Sequence, residues 1–400
     1  MLLVKYNLTA VHHFDILNYI GERMMIMAVN AEKTKTKHKG LKALGIVIGI
    51  ILAIAIVAEI FISVVIRPVD DSSDKAVAVG GMITSDTVEF KSDSATGLEK
   101  NPVIRMMQMI WRFCYDGDMK KHADQTPPVV DEVKDVAYID DGNRYHRLDV
   151  YYPQNLSAED KLPVVIDIHG GGWMYAEKNL NEYYCKAIAD RGYVVFNVSY
   201  RLVPDVTVNE QLQDVACALK WIQENMAAYP CDTESILLTG DSAGGQLAAY
   251  SAVLLQSAEL LGIFDTVDAG MEIDAMVLTS PVPYMKDGAL SVYTKLLWGS
   301  DYKSKPTYNY MNLDEIIDYA KFPPTYLITS SGDTLAHDQT VKTAELLESK
   351  DVVYTLKDYK KYNGKNLVHV FSVLYPFDAV GSSTIDEALD FYDSIIEKRN

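Results

Sequence analysis

The stretch Gly240-Asp241-Ser242-Ala243-Gly244-Gly245 restricts this chain more than any other. It satisfies G-x-S-x-G, in which a serine sits on a strand-to-helix turn so sharp that only glycine-sized neighbours let the backbone pass. Because such a motif also arises by chance, its flanks decide its weight. Ser235 to Thr239 reads Ser-Ile-Leu-Leu-Thr, the short apolar run of a buried parallel strand, and Gln246 to Leu255 is rich in Ala and Leu. The expected order is strand, turn, helix, with the Ser242 hydroxyl presented for nucleophilic attack.

A second glycine run, His169-Gly170-Gly171-Gly172-Trp173, follows Pro163 to Ile168, another buried-strand pattern. Acyl transfer passes through a tetrahedral intermediate bearing O⁻, and each preorganised backbone N–H aimed at that oxygen contributes about 3 kcal/mol. The expected donors are the amides of Gly171, Gly172 and Ala243, with Gly170, Gly240 and Gly244 allowing the close turns around them. Folds built on this elbow supply the triad in the order Ser, acid, His. His169 precedes the serine and so reads as a structural anchor. Only His337 and His369 follow Ser242. His337 falls at the start of a helix running through Val341, Ala344, Leu346 and Leu347, whereas His369 follows the alternating segment Val352 to Tyr359 and a Gly-containing loop. His369 is therefore the expected base and His337 a solvent-side residue. Asp333 stands just after the strand pattern Thr325 to Ser330, where catalytic groups collect in open sheets, and is the expected acid. Asp338 reads better as a first-turn residue favoured by the helix dipole.

Taken together, His169-Gly-Gly-Gly-Trp173, Ser199-Tyr-Arg-Leu-Val-Pro-Asp205, Gly240-Asp-Ser-Ala-Gly-Gly245, Gly332-Asp333-x-Leu335 and His369-x-Phe371 resemble the hormone-sensitive-lipase-like esterases and lipases of the α/β-hydrolase superfamily. The resemblance runs from about residue 130 to the C-terminus. It implies an α/β-hydrolase fold: a mostly parallel central sheet with helices on both faces and a small helical cap, within a domain of residues 101–400. It further implies a serine ester hydrolase acting by an acyl-enzyme mechanism. The chain departs from the family where a second acidic residue is usual four positions after Asp333. That slot holds His337, and the segments around the pocket, Pro204 onward and Tyr284 to Pro324, have their own pattern. In proteins similar to this one the segment before the core forms part of a cap, so cap elements are expected near 101–130, where Met and aromatic residues from Ile104 to Phe113 cluster, and near 284–324.

The periodicity agrees with that fold independently. Val208, Leu212, Val215, Leu219, Ile222 and Met226 lie on one face of a helix of 3.6 residues per turn. A second helix is expected from Thr384, with Glu387 completing a capping box and Ile385, Leu389, Tyr392 and Ile396 facing inward.

Upstream, residues 43–66 are nearly all apolar, and about 20 such residues cross a hydrocarbon core. Lys33, Lys35, Lys37, Lys39 and Lys42 precede them, and Asp70, Asp71 and Asp74 follow. The positive-inside rule then puts residues 1–42 in the cytoplasm, makes 43–66 a signal anchor in the lipid bilayer of a bacterial-type cell membrane, and leaves 67–100 as a polar stalk outside. A cleaved signal peptide is the alternative, although its apolar region is ordinarily about 7 to 15 residues. Residues 1–24 show no pattern, and Met24, Met25 and Met27 follow a Gly-Glu-Arg that a ribosome-binding site could encode, so translation is expected to start there.

A net charge of −18 excludes nucleic acid as a natural partner of the enzyme domain. The cysteines, Cys114, Cys185, Cys217 and Cys231, lack metal-site spacing, so no metal and no organic cofactor is expected. Buried free thiols fit their placement better than two disulfides. The expected partner is a small-molecule ester, and the oligomeric state is left open. An amidase, a longer-chain lipase or a non-catalytic adhesion module are the alternatives to a short-chain esterase. The complete set Ser242, Asp333 and His369 weighs against adhesion, and the Asp-Ser-Ala centre with its His-Gly-Gly-Gly loop weighs against the peptidase branches.

Overall fold

The computed structural model of the protein describes residues 78–79, 82–83, 115, 117–287 and 293–399. The chain divides into two compact units, Met1–Phe90 and Lys91–Asn400. In the first, the described residues are two short antiparallel strands, Ala78–Val79 and Met82–Ile83, inside the segment read as a stalk. The expected membrane anchor at 43–66, the N-terminal segment 1–42, most of the stalk and the cap residues 101–114 lie outside the described residues. Among the described residues no helix is long and apolar enough to cross a membrane.

The second unit is built on one eight-stranded sheet. Its strands are β1 (Asp131–Ala137), β2 (Arg147–Tyr152), β3 (Leu162–Ile168), β4 (Val194–Val198), β5 (Cys231–Asp241), β6 (Ala275–Thr279), β7 (Thr325–Ser330) and β8 (Tyr354–Tyr359), in the spatial order β8-β7-β6-β5-β3-β4-β2-β1. All pairings from β4 to β8 are parallel, and β2 is antiparallel to both β1 and β4. Every residue of β4, β6 and β7 is buried. Strands covered on both faces read as unbroken apolar runs for that reason. At the edge, β1 is charged, mostly exposed and broken by a register shift between Val133 and Val136, which are features that discourage pairing with another chain.

Helices cover both faces: α1 (Glu182–Ala189), α2 (Val208–Asn225), α3 (Ser242–Leu254), α4 (Ala258–Phe264), α5 (Thr294–Trp298), α6 (His337–Ser349), α7 (Phe371–Leu374) and α8 (Ala379–Ile396). Alternate strand residues Val165, Val195, Leu237, Val277 and Ile328 point to one face, where they meet Tyr184 and Ile188 of α1, Phe371 of α7 and Leu389 and Tyr392 of α8. Burying a side chain such as Leu389 contributes about 2 kcal/mol. The stripe expected on α2 is buried as read, and its first turn is tied by the Glu210 carboxylate, which accepts from the Thr207 amide at 2.7 Å. The last helix corrects the reading of Thr384. It begins at Ala379, so Thr384 is an interior residue whose hydroxyl donates to the Val380 carbonyl at 2.6 Å, and Glu387 accepts from Tyr326 and Lys357 instead of closing a capping box. Ser and Thr satisfy their hydroxyls this way inside helices, and a capping pattern in sequence cannot tell the two uses apart. Cys185, Cys217 and Cys231 are free thiols, the first and last of them buried.

Candidate active site

The carboxyl ends of the parallel strands converge on one group of residues. Strand β5 delivers Ser242, β3 the glycine loop, β7 Asp333 and β8, through a longer loop, His369. Ser242 has φ +50°, the left-handed turn between strand and helix that its neighbours' sequence anticipated. That turn brings α3 against the end of β3 so closely that a Cβ on Gly244 would lie 2.0 Å from the Ile168 carbonyl oxygen and 2.3 Å from that of His169. No side chain larger than hydrogen fits there.

His369 bridges the two partners expected for it. Its Nε2 is 2.9 Å from the Ser242 hydroxyl and its Nδ1 is 2.9 Å from Asp333 Oδ2. With Nδ1–H donating to the carboxylate, Nε2 is left to accept from the serine. The other carboxylate oxygen of Asp333 accepts from the amides of Leu335 and Ala336, each at 3.0 Å, and the carboxyl also takes a hydrogen bond from the Ser280 side chain. Burial alone would raise this acid. The hydrogen bond and charge of His369, with the bonds from Ser280 and the Ala336 amide, outweigh it and hold the carboxyl below its ordinary value. The carboxylate form of Asp333 is thus favoured beside the imidazole.

Gly171 and Gly172 have φ +117° and +54°, and among the described residues their amides donate to no protein acceptor. Ala243 lies in the first turn of α3, where amides have no intrahelical partner. Gly170 donates to Asp241 Oδ1 at 2.8 Å, and Asn181 reaches the same oxygen at 2.8 Å and Asp167 at 2.9 Å. Burial raises the Asp241 carboxyl to about 6, against the opposing bonds from Asn181 and Gly170. Asp167, buried beside it, is pushed well above the ordinary range by burial and then by the charge of Asp241.

His169 is fully buried, stacked on Tyr200 at 4.4 Å, with Nδ1 donating to the Gly170 carbonyl. Burial lowers it to about 4, so it is neutral and anchors the loop. His337 starts α6, as expected, and faces Asp358 and Asp338 at 3.3 Å rather than Ser242. Asp338 is an exposed first-turn residue. Sequence reasoning missed Ser280, Asn181 and Asp167, none of which carries a motif; the only signal for Ser280 was its place at the end of an apolar strand. Among the described residues no cluster of His, Cys, Asp and Glu could hold a metal ion.

The described parts of both expected cap segments border this region. Tyr115 and Met119 pack on Tyr175, Ala176 and Leu180 just after the glycine loop, and Gln125 donates to the Leu374 carbonyl on α7. The insertion begins next to Ser242, whose carbonyl accepts from the Val282 amide at 3.3 Å. It continues through α5 and a run of short 3-10 turns to Tyr319.

A parallel sheet in this strand order, with a serine on a left-handed turn after β5 and its histidine and aspartate after later strands, defines an α/β hydrolase, and the solved structures and relatives it matches make the protein a carboxylic ester hydrolase of the hormone-sensitive-lipase-like class. Esterase B from Lactobacillus rhamnosis, solved with a tributyrin phosphonate, is 30% identical with a TM-score of 0.70, over 75% of this chain and 97% of that one. Carboxylesterase NlhH of Mycobacterium tuberculosis is 29% identical over 221 residues, 52% of this chain and 67% of its own length. The versiconal hemiacetal acetate esterase of Dothistroma septosporum is 28% identical over 206 residues, 47% of this chain and 62% of its own. The chain belongs to the BD-FAE family, whose model matches residues 148–368.

Proposed function

We propose that the protein hydrolyses short-chain acyl esters through an acyl-enzyme formed on Ser242. The observation that carries this reading is His369 standing 2.9 Å from both the Ser242 hydroxyl and the Asp333 carboxylate. Ser242 Oγ attacks the ester carbonyl as its proton passes to His369 Nε2, and Asp333 stabilises the imidazolium. The carbonyl oxygen becomes O⁻ and accepts from the amides of Gly171, Gly172 and Ala243. Collapse breaks the bond to the alcohol, which leaves with the proton from His369. Water, deprotonated by the same imidazole, then attacks the acyl-serine, and the second collapse releases the carboxylic acid and restores Ser242.

Cap segments near 101–130 and 284–324, whose described parts border the glycine loop and Ser242, would favour small acyl groups, and the names of two relatives support that class. Esterase B binds a C4-C4 tributyrin phosphonate, and the Dothistroma enzyme is named for an acetate. Turnover of p-nitrophenyl esters from acetate to dodecanoate tests both halves. Acetate to butyrate should be best. Ser242→Ala or His369→Ala should lower kcat about a million-fold, and Asp333→Ala somewhat less, as in serine triads that act as a unit. A preference for chains beyond ten carbons with activation at lipid interfaces would refute the substrate class, and an active Ser242→Ala would refute the mechanism.

The length and flanking charge of residues 43–66 support a single-pass anchor in a bacterial-type membrane, with the hydrolase unit on the outer face.

A further inference from the structure

The loop that presents Gly171 and Gly172 is conformationally costly. Three successive residues, Gly171, Gly172 and Trp173, have positive φ, the last at +63° on a large side chain. A non-glycine residue stays in that region only where its surroundings over-determine it. The surroundings here are specific. The Trp173 carbonyl accepts from the Val203 amide at 2.9 Å and from Gln211 Nε2 at 2.8 Å, and the indole N–H donates to Gln246 Oε1 at 3.0 Å. The second hydrogen on Gln211 Nε2 goes to the Arg201 carbonyl at 2.7 Å. Arg201 is itself fixed, its guanidinium donating to Asp214 at 2.6 and 2.9 Å. One buried amide nitrogen on α2 therefore ties the glycine loop to the Ser199–Asp205 segment, a motif to which the reaction assigns no step. Gln211 is fully buried, and among the described residues its side-chain amide hydrogen-bonds only to the Trp173 and Arg201 carbonyls, not to Ser242, Asp333 or His369.

We propose that Gln211 is a positioning residue for the oxyanion loop, setting the direction of the Gly171 and Gly172 amides by holding the Trp173 carbonyl beside that of Arg201. The inference rests on the acyl-enzyme reading above. Two buried carbonyl oxygens facing one point need a donor with two hydrogens, which glutamine supplies and an isosteric glutamate does not.

Gln211→Glu places a carboxylate against both carbonyls, and Gln211→Met keeps the length while removing the donor. Each is assayed with p-nitrophenyl butyrate, with kcat expressed per active site titrated by a phosphonate, and with a trifluoromethyl ketone whose tetrahedral adduct needs the same amides. A displaced loop should lower kcat about 10- to 100-fold with KM changed by no more than about threefold. The inhibition constant of the ketone should rise by the factor lost in kcat/KM. A residue serving only the fold would change the titrated fraction and leave kcat per site untouched. That outcome, a loss carried by KM, or failure of both variants to fold would each overturn the inference. Activity lost in Ser242→Ala but kept per site in Gln211→Met would reject the positioning role alone, whereas an active Ser242→Ala would reject the acyl-enzyme reading itself.

Discussion

Gly332→Ala should damage catalysis more than stability, because of where its methyl group would go. A Cβ at Gly332 would lie 2.3 Å from the Leu367 carbonyl oxygen and 2.8 Å from the Asn366 Cβ, both on the loop that ends in His369. Restoring ordinary contact moves that carbonyl by about 1 Å, and backbone two residues from His369 must follow. Overpacking of this kind costs about 1 to 3 kcal/mol. It also strains the 2.8 Å bond that Ser330 Oγ donates to the same carbonyl, a bond worth about 1 kcal/mol. A displacement of about 1 Å at a reacting group lowers turnover on the order of 100-fold. The expected outcome is a folded enzyme whose Tm drops by several degrees and whose kcat drops by about two orders of magnitude. Gly262→Ala is the control: it lies within α4, nothing stands within 4 Å of the added carbon, and it should gain about 0.5 to 1 kcal/mol with unchanged kcat. Thermal unfolding and p-nitrophenyl butyrate kinetics on the two variants decide the matter. A Gly332→Ala enzyme with wild-type kcat would show that the His369 loop is not held by this contact.

His337→Ala should leave turnover close to wild type, since the ring faces Asp358 and Asp338; a loss as deep as that of His369→Ala would mean the base is misassigned. Asp167→Asn should flatten the alkaline fall in stability. Burial, then the Asp241 charge, raises the folded-state pKa of Asp167, so its contribution is fully present below the unfolded value of about 3.9 and is lost as pH rises toward the folded one. An asparagine of the same shape does not titrate, so Tm should decline less between pH 5 and 8 than in the wild type; parallel curves would refute the argument. Protease added to intact spheroplasts should release the hydrolase unit by cutting within 67–100, whereas protection until lysis would place the enzyme inside, and a natural product beginning near Glu59 or Val79 would show a cleaved signal instead.

Local chemistry made much of this protein legible in advance. The turn at Ser242, the glycine loop and the buried strands each impose a requirement on consecutive residues: a left-handed turn, a close approach, an apolar run. A requirement on neighbours in the chain leaves its mark in the chain. The order Ser, Asp, His then left two histidines, and strand ends left few acids. Thr384 shows the limit, because a hydroxyl followed three residues later by Glu suits a helix start, yet contacts with Val380 and Tyr359 put it inside the helix. Ser280, Asn181, Asp167 and Gln211 stood in no motif. Each acts on a group far away in sequence: Ser280 on Asp333, Asn181 on Asp167 and Asp241, Gln211 on Trp173. Their roles follow from which buried carbonyl or carboxylate the folded chain brings within hydrogen-bond reach, and only the packing of the sheet and its helices determines that.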